Sequence, residues 1–217
     1  MNKFQQIDEL LRPDHHFIEP DDVCLFYGTY TVSHQLNEHG EKIPPYELGP
    51  INDLIYNFKM PVRYKGQKRY WYKDDAISKI ARILYGEFKG LNGITWVPVP
   101  PSKDKTHPEY DDRVEQVLNQ YKSLDPKIDV RNLVQQSTSR KAMHEGDEHR
   151  FIEALYSNYE LNANLIDPTP RLIAVFDDVL CTGASFKAIK KLLLEKIAGV
   201  KVVGVFVARR VPEAEII

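Results

Sequence analysis

Cysteine is scarce: Cys24 and Cys181 are the two in 217 residues, far apart and in no C-x-x-C pattern. That argues against a disulfide framework or a cysteine-based zinc site, and a reducing cytoplasm is the simplest setting. Charge imbalance is missing too, with 29 Lys and Arg against 31 Asp and Glu. No global field draws such a chain to nucleic acid or anionic lipid. No apolar run approaches the length of a membrane span, so no membrane partner is expected. The opening MNKFQQIDELLRPDHH lacks the apolar core of a signal peptide. Repeats and low-complexity tracts are absent. What remains is an ordinary globular composition, rich in aromatics, sufficient for one core with a modest appendage.

Along the chain, FQQIDELL places Phe4, Ile7 and Leu11 at helical spacing before Pro13, which predicts a short helix. DDVCLFYGTYTV reads as strand, and NEHGEK as a turn around Gly40. Residues 1–60 are therefore expected to form a helix and a small β-rich hood, with residues 61–217 as an α/β core. In that core, DDAISKIARILYGEF and DDRVEQVLNQYKSL read as amphipathic helices. ITWVPVP, IDVRNLV, RLIAVFDD and KVVGVFVARR read as apolar strands. A helix with Phe186, Ile189, Leu193 and Ile197 on one face and Lys187, Lys190 and Lys191 on the other follows the third strand. Alternation of this kind predicts a mainly parallel, doubly wound sheet. The polar stretch from Gln135 to Arg150 reads as a long loop inside it.

The sharpest chemistry lies in VFDDVLCTGASFKAIKKLL, from Val175. Ligands of open α/β sheets bind beyond the carboxyl ends of the strands. Asp177 and Asp178 fall there, and two carboxylates at that spacing can accept from the vicinal hydroxyls of a ribose. A magnesium ion nearby would ease their repulsion. The CTGAS turn then opens a helix, whose free N–H groups and positive dipole end suit a phosphate. Gly183 lets backbone approach a ligand, and Thr182 and Ser185 supply hydroxyls. For TGAS alone, an ordinary strand–turn–helix connection with a Ser or Thr N-cap explains as much.

The whole string resembles the phosphoribosyl-pyrophosphate (PRPP) motif of type I phosphoribosyltransferases: an apolar strand, two acids, two apolar residues and a small hydroxyl-bearing loop. The layout is most similar to ComF-like members. ITWVPVPPSKDK resembles their pyrophosphate-loop segment, SRKAMHEGDEHRFIEALYSNYEL their mobile loop and the helix after it, and LIYNFKM a lysine-bearing stretch upstream. The similarity spans roughly residues 51–210. It implies a type I phosphoribosyltransferase-like core acting on PRPP with Mg2+. Asp177 and Asp178 would hold the ribose hydroxyls, directly or through magnesium. Cys181, Thr182, Gly183, Ala184 and Ser185 would cradle the 5-phosphate. Pro101, Ser102 and Lys103 would meet pyrophosphate, and Ser139, Arg140 and Lys141 would close over it, with Lys103 and Arg140 countering the departing charge. The implied activity is transfer of 5-phosphoribosyl to a nitrogen acceptor, with a non-catalytic PRPP-binding module as the alternative. Such cores commonly pair, so a homodimer is a further implication. Cys181 stands where 6-oxopurine enzymes of the family carry an aspartate, which counts against that acceptor. The ComF-like N-terminal cysteine cluster is missing, and its zinc appendage is not expected.

Other patterns admit more than one reading. VPVPPSKDKTHP is a stiff connection or a loop with a cis bond at Pro100 or Pro101. MPVRYKGQKRYWYKDD interleaves Arg63, Lys65, Lys68 and Arg69 with Tyr64, Tyr70, Trp71 and Tyr72. Such a stretch can clamp single-stranded nucleic acid, in keeping with the DNA-linked role of ComF-like proteins, form a solvated loop or hairpin with snorkelling lysines, or help close the acceptor pocket. The near-neutral charge weighs against nucleic acid as a partner. His144 and His149, five apart, read as solvated loop residues rather than metal ligands. A helix-end Cys181 could be an activated thiol, but a small residue in a tight turn explains it more simply. Arg209 and Arg210 end the last strand and could reach the site.

Overall fold

The computed structural model describes residues 3–31, 40, 42–137 and 148–211. Eight strands occur among them: β1 Gln5–Gln6, β2 Cys24–Tyr30, β3 Ile94–Pro98, β4 Asp129–Val130, β5 Val134–Gln136, β6 Tyr159–Leu161, β7 Leu172–Leu180 and β8 Lys201–Arg210. Five helices accompany them: α1 Pro50–Phe58, α2 Trp71–Phe88, α3 Arg113–Leu124, α4 Glu148–Ser157 and α5 Ala184–Lys196. Six strands form one sheet in the order β1-β2-β8-β7-β3-β4, in which β1 alone is antiparallel to its neighbour. β5 and β6 form a separate antiparallel pair.

The strands bury both faces, as their unbroken apolar runs require. Side chains of β7 alternate between two cores. Ile173 and Val175 enter the one built with Phe186, Ile189 and Leu193 of α5. Ala174 and Phe176 enter the one built with Ile55 and Phe58 of α1, Ile77, Ile80 and Leu84 of α2, and Val117, Leu118 and Tyr121 of α3. The amphipathic faces read from the sequence are thus the buried ones. The α/β class and the mostly parallel sheet agree with expectation.

Four local expectations need correction. Phe4–Leu11 is not a helix. Gln5 and Gln6 pair with Leu25 and Phe26, and the Asp8 carboxylate accepts from the N–H groups of Leu10 and Leu11, both at 3.0 Å. Sheet pairing and an Asx turn override the helical spacing. Residues 50–58, placed in a β-rich region, are helix α1, started by Pro50 after Gly49. β2 joins the main sheet beside β8 rather than a sheet of its own. IDVRNLV is two strands, because Arg131 turns away to donate to the carbonyls of Leu165, Ile166 and Pro168 at 2.7–3.0 Å. The turn at Gly40 falls beside residues outside those described, and Ser139, Arg140, Lys141 and His144 lie outside them altogether.

β2 is reached through a strap, residues 14–22, that runs over the β7–α5 turn. Phe17 N–H donates to the Thr182 carbonyl at 3.0 Å, and His15 Nδ1 donates to the Cys181 carbonyl. Ion pairs hold the strap along its length: Asp14 to Arg209 at 2.9 Å, and Asp22 to both Lys187 and Lys190. Lys187 and Lys190 of α5 therefore face the strap rather than bulk solvent, whereas Lys191 pairs with Glu153 of α4 at 2.7 Å. Burial works against ionisation of Asp22, but its two lysine partners outweigh it and hold the carboxyl below its usual range. Gly183 sits at φ +90°, and a Cβ there would lie 2.5 Å from Ile18 Cδ1. Gly183→Ala is expected to cost about 2–4 kcal/mol in urea unfolding, from left-handed strain plus overpacking. Adding Ile18→Ala should recover the steric part and leave the strain.

Candidate functional site

β3 ends in prolines, which lack the N–H that a ladder needs. Its last pair is Pro98 with Phe176, followed by one further bond from Val99 N–H to the Phe176 carbonyl. β7 runs on to Leu180, paired only with β8. Asp177 and Asp178 therefore lie inside a strand, not at its end as the sequence suggests, but at the point where its other neighbour departs. A cavity of about 410 Å³ opens there. It is lined by Pro101, Ser102, Lys103, Asp177, Asp178 and Ser185 from the predicted set, and by Arg63, Asp111 and Arg113, which sequence reading did not assign to the site. A second hollow of about 740 Å³ shares Val99, Pro100, Pro101 and Lys103 with it and extends to β5. The Ser102 carbonyl accepts from Gln136 Nε2 at 2.8 Å, bracing this loop against β5. The cis bond considered at Pro100 or Pro101 is not present; among the described residues Asp167–Pro168 is the cis peptide.

Strand alternation separates the two acids. Asp178 follows Ala174 and Phe176 onto the α1–α3 face. There it accepts from Arg113 Nη2 at 2.9 Å, and Lys59 Nζ lies at 3.3 Å. Arg113 is the first residue of α3, and its Nη1 donates to Asp111 at 3.0 Å. Asp111 also accepts from Lys73 Nζ at 2.6 Å, and Lys73, fully buried in α2, donates to the Met60 carbonyl at 2.9 Å. Five charged side chains thus run as one network from α2 through α3 to β7. Asp177 turns to the other face, toward the start of α5. Among the described residues it makes no ion pair; its Oδ1 accepts the Asp178 N–H at 2.8 Å.

Electrostatics follow this division. Burial opposes ionisation of Asp178, but Lys59 and Arg113 overcome it and hold the carboxyl below its usual range. Burial first, and the Asp178 charge second, push Asp177 up to about 7. Burial also opposes the Arg113 charge, and Asp178 and Asp111 together hold it on. Overall the cavity lining carries three cationic side chains and six carboxylates. A phosphorylated ligand would enter it with accompanying cations. That donor set fits a hydrated magnesium ion held through one or two carboxylates and the ligand's own oxygens, with Asp177, which makes no ion pair among the described residues, as one available carboxylate.

The turn Cys181–Ser185 is brought only partly into the cavity. Ser185 lines it, whereas the close approach that Gly183 permits is taken by Ile18. Cys181 is exposed, yet the protein packed around its sulfur pushes the thiol up rather than down, against activation. Arg209 is buried against Asp14 and does not line the cavity. Arg113 and Lys73 had a legible signal. Lys73 shares the stripe of Ile77, Ile80, Leu84 and Phe88, and Arg113 that of Val117 and Tyr121, so each is a cation on an apolar helix face. Compared with models of known protein families and with curated proteins, the chain matches none.

Two outcomes are expected. Arg113→Met leaves Asp178 with half its compensation and should cost about 3 kcal/mol in denaturant unfolding. Folding raises the Asp177 pKa, so its contribution to stability is full below the ordinary carboxylate range and is lost as pH rises toward about 7. Asp177→Asn should therefore stabilise the protein by roughly 1–3 kcal/mol at pH 8, with the gain vanishing near pH 4. Unfolding curves at the two pH values check this.

Proposed function

We propose that the protein is a magnesium-dependent phosphoribosyltransferase of the type I kind, transferring 5-phosphoribosyl from PRPP to a nitrogen acceptor and releasing pyrophosphate. One observation carries the reading: the proline-rich loop 99–103, the Asp177–Asp178 pair and Ser185 in the first turn of α5 line a single cavity where β3 parts from its parallel neighbour β7. These are the segments that resemble the family's pyrophosphate loop and PRPP motif.

In this reading Asp177 accepts from the ribose hydroxyls, and Asp178 holds the strand's geometry through Arg113 and Lys59. Ser185 and the amides opening α5 receive the 5-phosphate on the side the strap leaves open. Lys103 faces both hollows and balances the leaving pyrophosphate. Asp177, with the ligand's own oxygens, would hold a magnesium ion, which would supply charge neutralisation to the departing group. The protein's task is positioning at an oxocarbenium-like carbon, with water kept away. A second reading, a PRPP-binding module without turnover, draws on the commitment of Asp178 to two protein cations.

Calorimetry with PRPP and Mg2+ tests the shared site. Saturable binding is expected for the wild type and at least tenfold weaker binding for Asp177→Asn. Equal affinity in the two would overturn the assignment. Pyrophosphate release with a panel of nitrogenous bases separates the enzyme from the module.

A further inference from the structure

Two aromatic rings stand uncovered where α1 and α2 lie side by side, away from the carboxylate cavity. The basic–aromatic stretch between these helices forms two 3-10 turns, Val62–Tyr64 and Lys68–Tyr70, and the second leads straight into Trp71, the first residue of α2. Trp71, Asp75 and Lys79 follow one another at i, i+4 along one face of α2, and Asp53 and Asn57 do the same on α1. With Tyr72 they line a hollow of about 320 Å³. It shares no lining residue with the carboxylate cavity. Trp71 is 61% exposed and Tyr72 52%. Their ring centroids are 5.3 Å apart and their planes 72° from parallel, so they meet as the two walls of a corner rather than as a stack.

The lining of this hollow carries two carboxylates and one ammonium group. Asp75 takes Lys79 at 2.7 Å, an exposed i, i+4 pair of the weak, readily exchanged kind. Asp53, in the first turn of α1, makes no ion pair with any described residue. Arg82 belongs to the adjoining hollow beyond Tyr72, which Trp71 does not line. Lys68 and Arg69 precede Trp71 but do not line the hollow either, and Arg69 lies over the Tyr64 ring at 4.5 Å. The Trp71 corner is therefore left with one negative charge in excess. Aromatic faces attract cations, indole most of all. A primary ammonium holds its water tightly, whereas a methylated one brings its charge inside apolar surface that can leave water for the rings. An anion would meet the carboxylates, and a neutral apolar group would make no use of Asp53. We infer that this hollow binds a quaternary ammonium group, with its methyls against Trp71 and Tyr72 and its charge beside Asp53. Such a group comes as the head of a small molecule such as choline or as a trimethylated lysine side chain. The hollow is larger than a trimethylammonium group and leaves room for the stem that carries it.

The test titrates the full chain with choline while tryptophan emission is followed. Trp71 carries the response, because Trp96, the other tryptophan of the chain, is buried. A saturable change with a millimolar dissociation constant is expected, as suits a half-open aromatic corner. The neutral isostere, in which carbon replaces the quaternary nitrogen, should bind roughly fivefold more weakly or worse. Trp71→Ala, followed by saturation transfer to the N-methyl protons of choline, should weaken binding by about fivefold, and Trp71→Phe by less. Asp53→Asn should weaken it about threefold. A peptide carrying trimethyllysine and its unmethylated counterpart separate the two sources. Tighter binding of the methylated peptide than of choline assigns the site to a modified side chain, and the reverse assigns it to a small molecule. No saturable response to either ligand would overturn the inference. So would equal affinity for the neutral isostere, preference for the unmethylated peptide, or indifference to Trp71→Ala or to Asp53→Asn. None of these outcomes bears on PRPP binding in the calorimeter.

Discussion

The ion pair between Arg113 and Asp178 is the contact around which the site is arranged. A carboxylate inside a buried strand is costly unless a cation with good geometry meets it. Arg113 meets it because α3 starts at that point. Removing water from both groups strengthens their attraction and sharpens the penalty for losing either one. Lys59 and the Lys73–Asp111 pair extend the same compensation outward, so three helices are held in register with one strand by charge as well as by packing.

This arrangement also explains how two adjacent acids can differ so much. Strand geometry sends them to opposite faces, and the two cations that pair with Asp178, Lys59 and Arg113, lie on its side. Asp178 is consequently a structural anion. Asp177 is left in a partly buried position that favours a proton, a metal ion or a hydroxyl-bearing ligand. Perturbation of this kind, in a cleft beyond parallel strands, is a physical mark of a functional site. The surplus of carboxylates around the cleft makes a bare polyanion an unsuitable visitor, and the proposed chemistry depends on the cation that travels with it.

Much of the sheet was legible in the sequence, because buried parallel strands are continuous apolar runs and their helices carry clear stripes. β3, β7, β8, α2, α3 and α5 were found that way. The failures have local causes. Phe4, Ile7 and Leu11 match a helical period by coincidence, while the backbone of residues 5–7 pairs with β2. Helix α1 was hidden by its flanking prolines, and one arginine splits IDVRNLV by capturing three carbonyls. At the site, the Asp-Asp-x-x-Cys-Thr-Gly string pointed to the right end of the right strand. What it concealed was the partner set: Arg113, Lys59 and Asp111 are distant in sequence, and only the fold brings them to Asp178. The covering of Gly183 by Ile18 was equally unreadable, since it joins residues at opposite ends of the chain.

That last closure has a bearing on how the molecule is made. Strand β2 has one neighbour from earlier in the chain, the two-residue β1, and one long parallel neighbour, β8, the last strand of the sheet. During synthesis β2 leaves the ribosome first and then has almost no ladder to join until nearly every other element has emerged. The remaining strands can assemble from β3 onward while the N-terminal segment stays unzipped. Docking of β2 and its strap then becomes the closing event of folding, a contact of very high sequence separation and correspondingly slow formation.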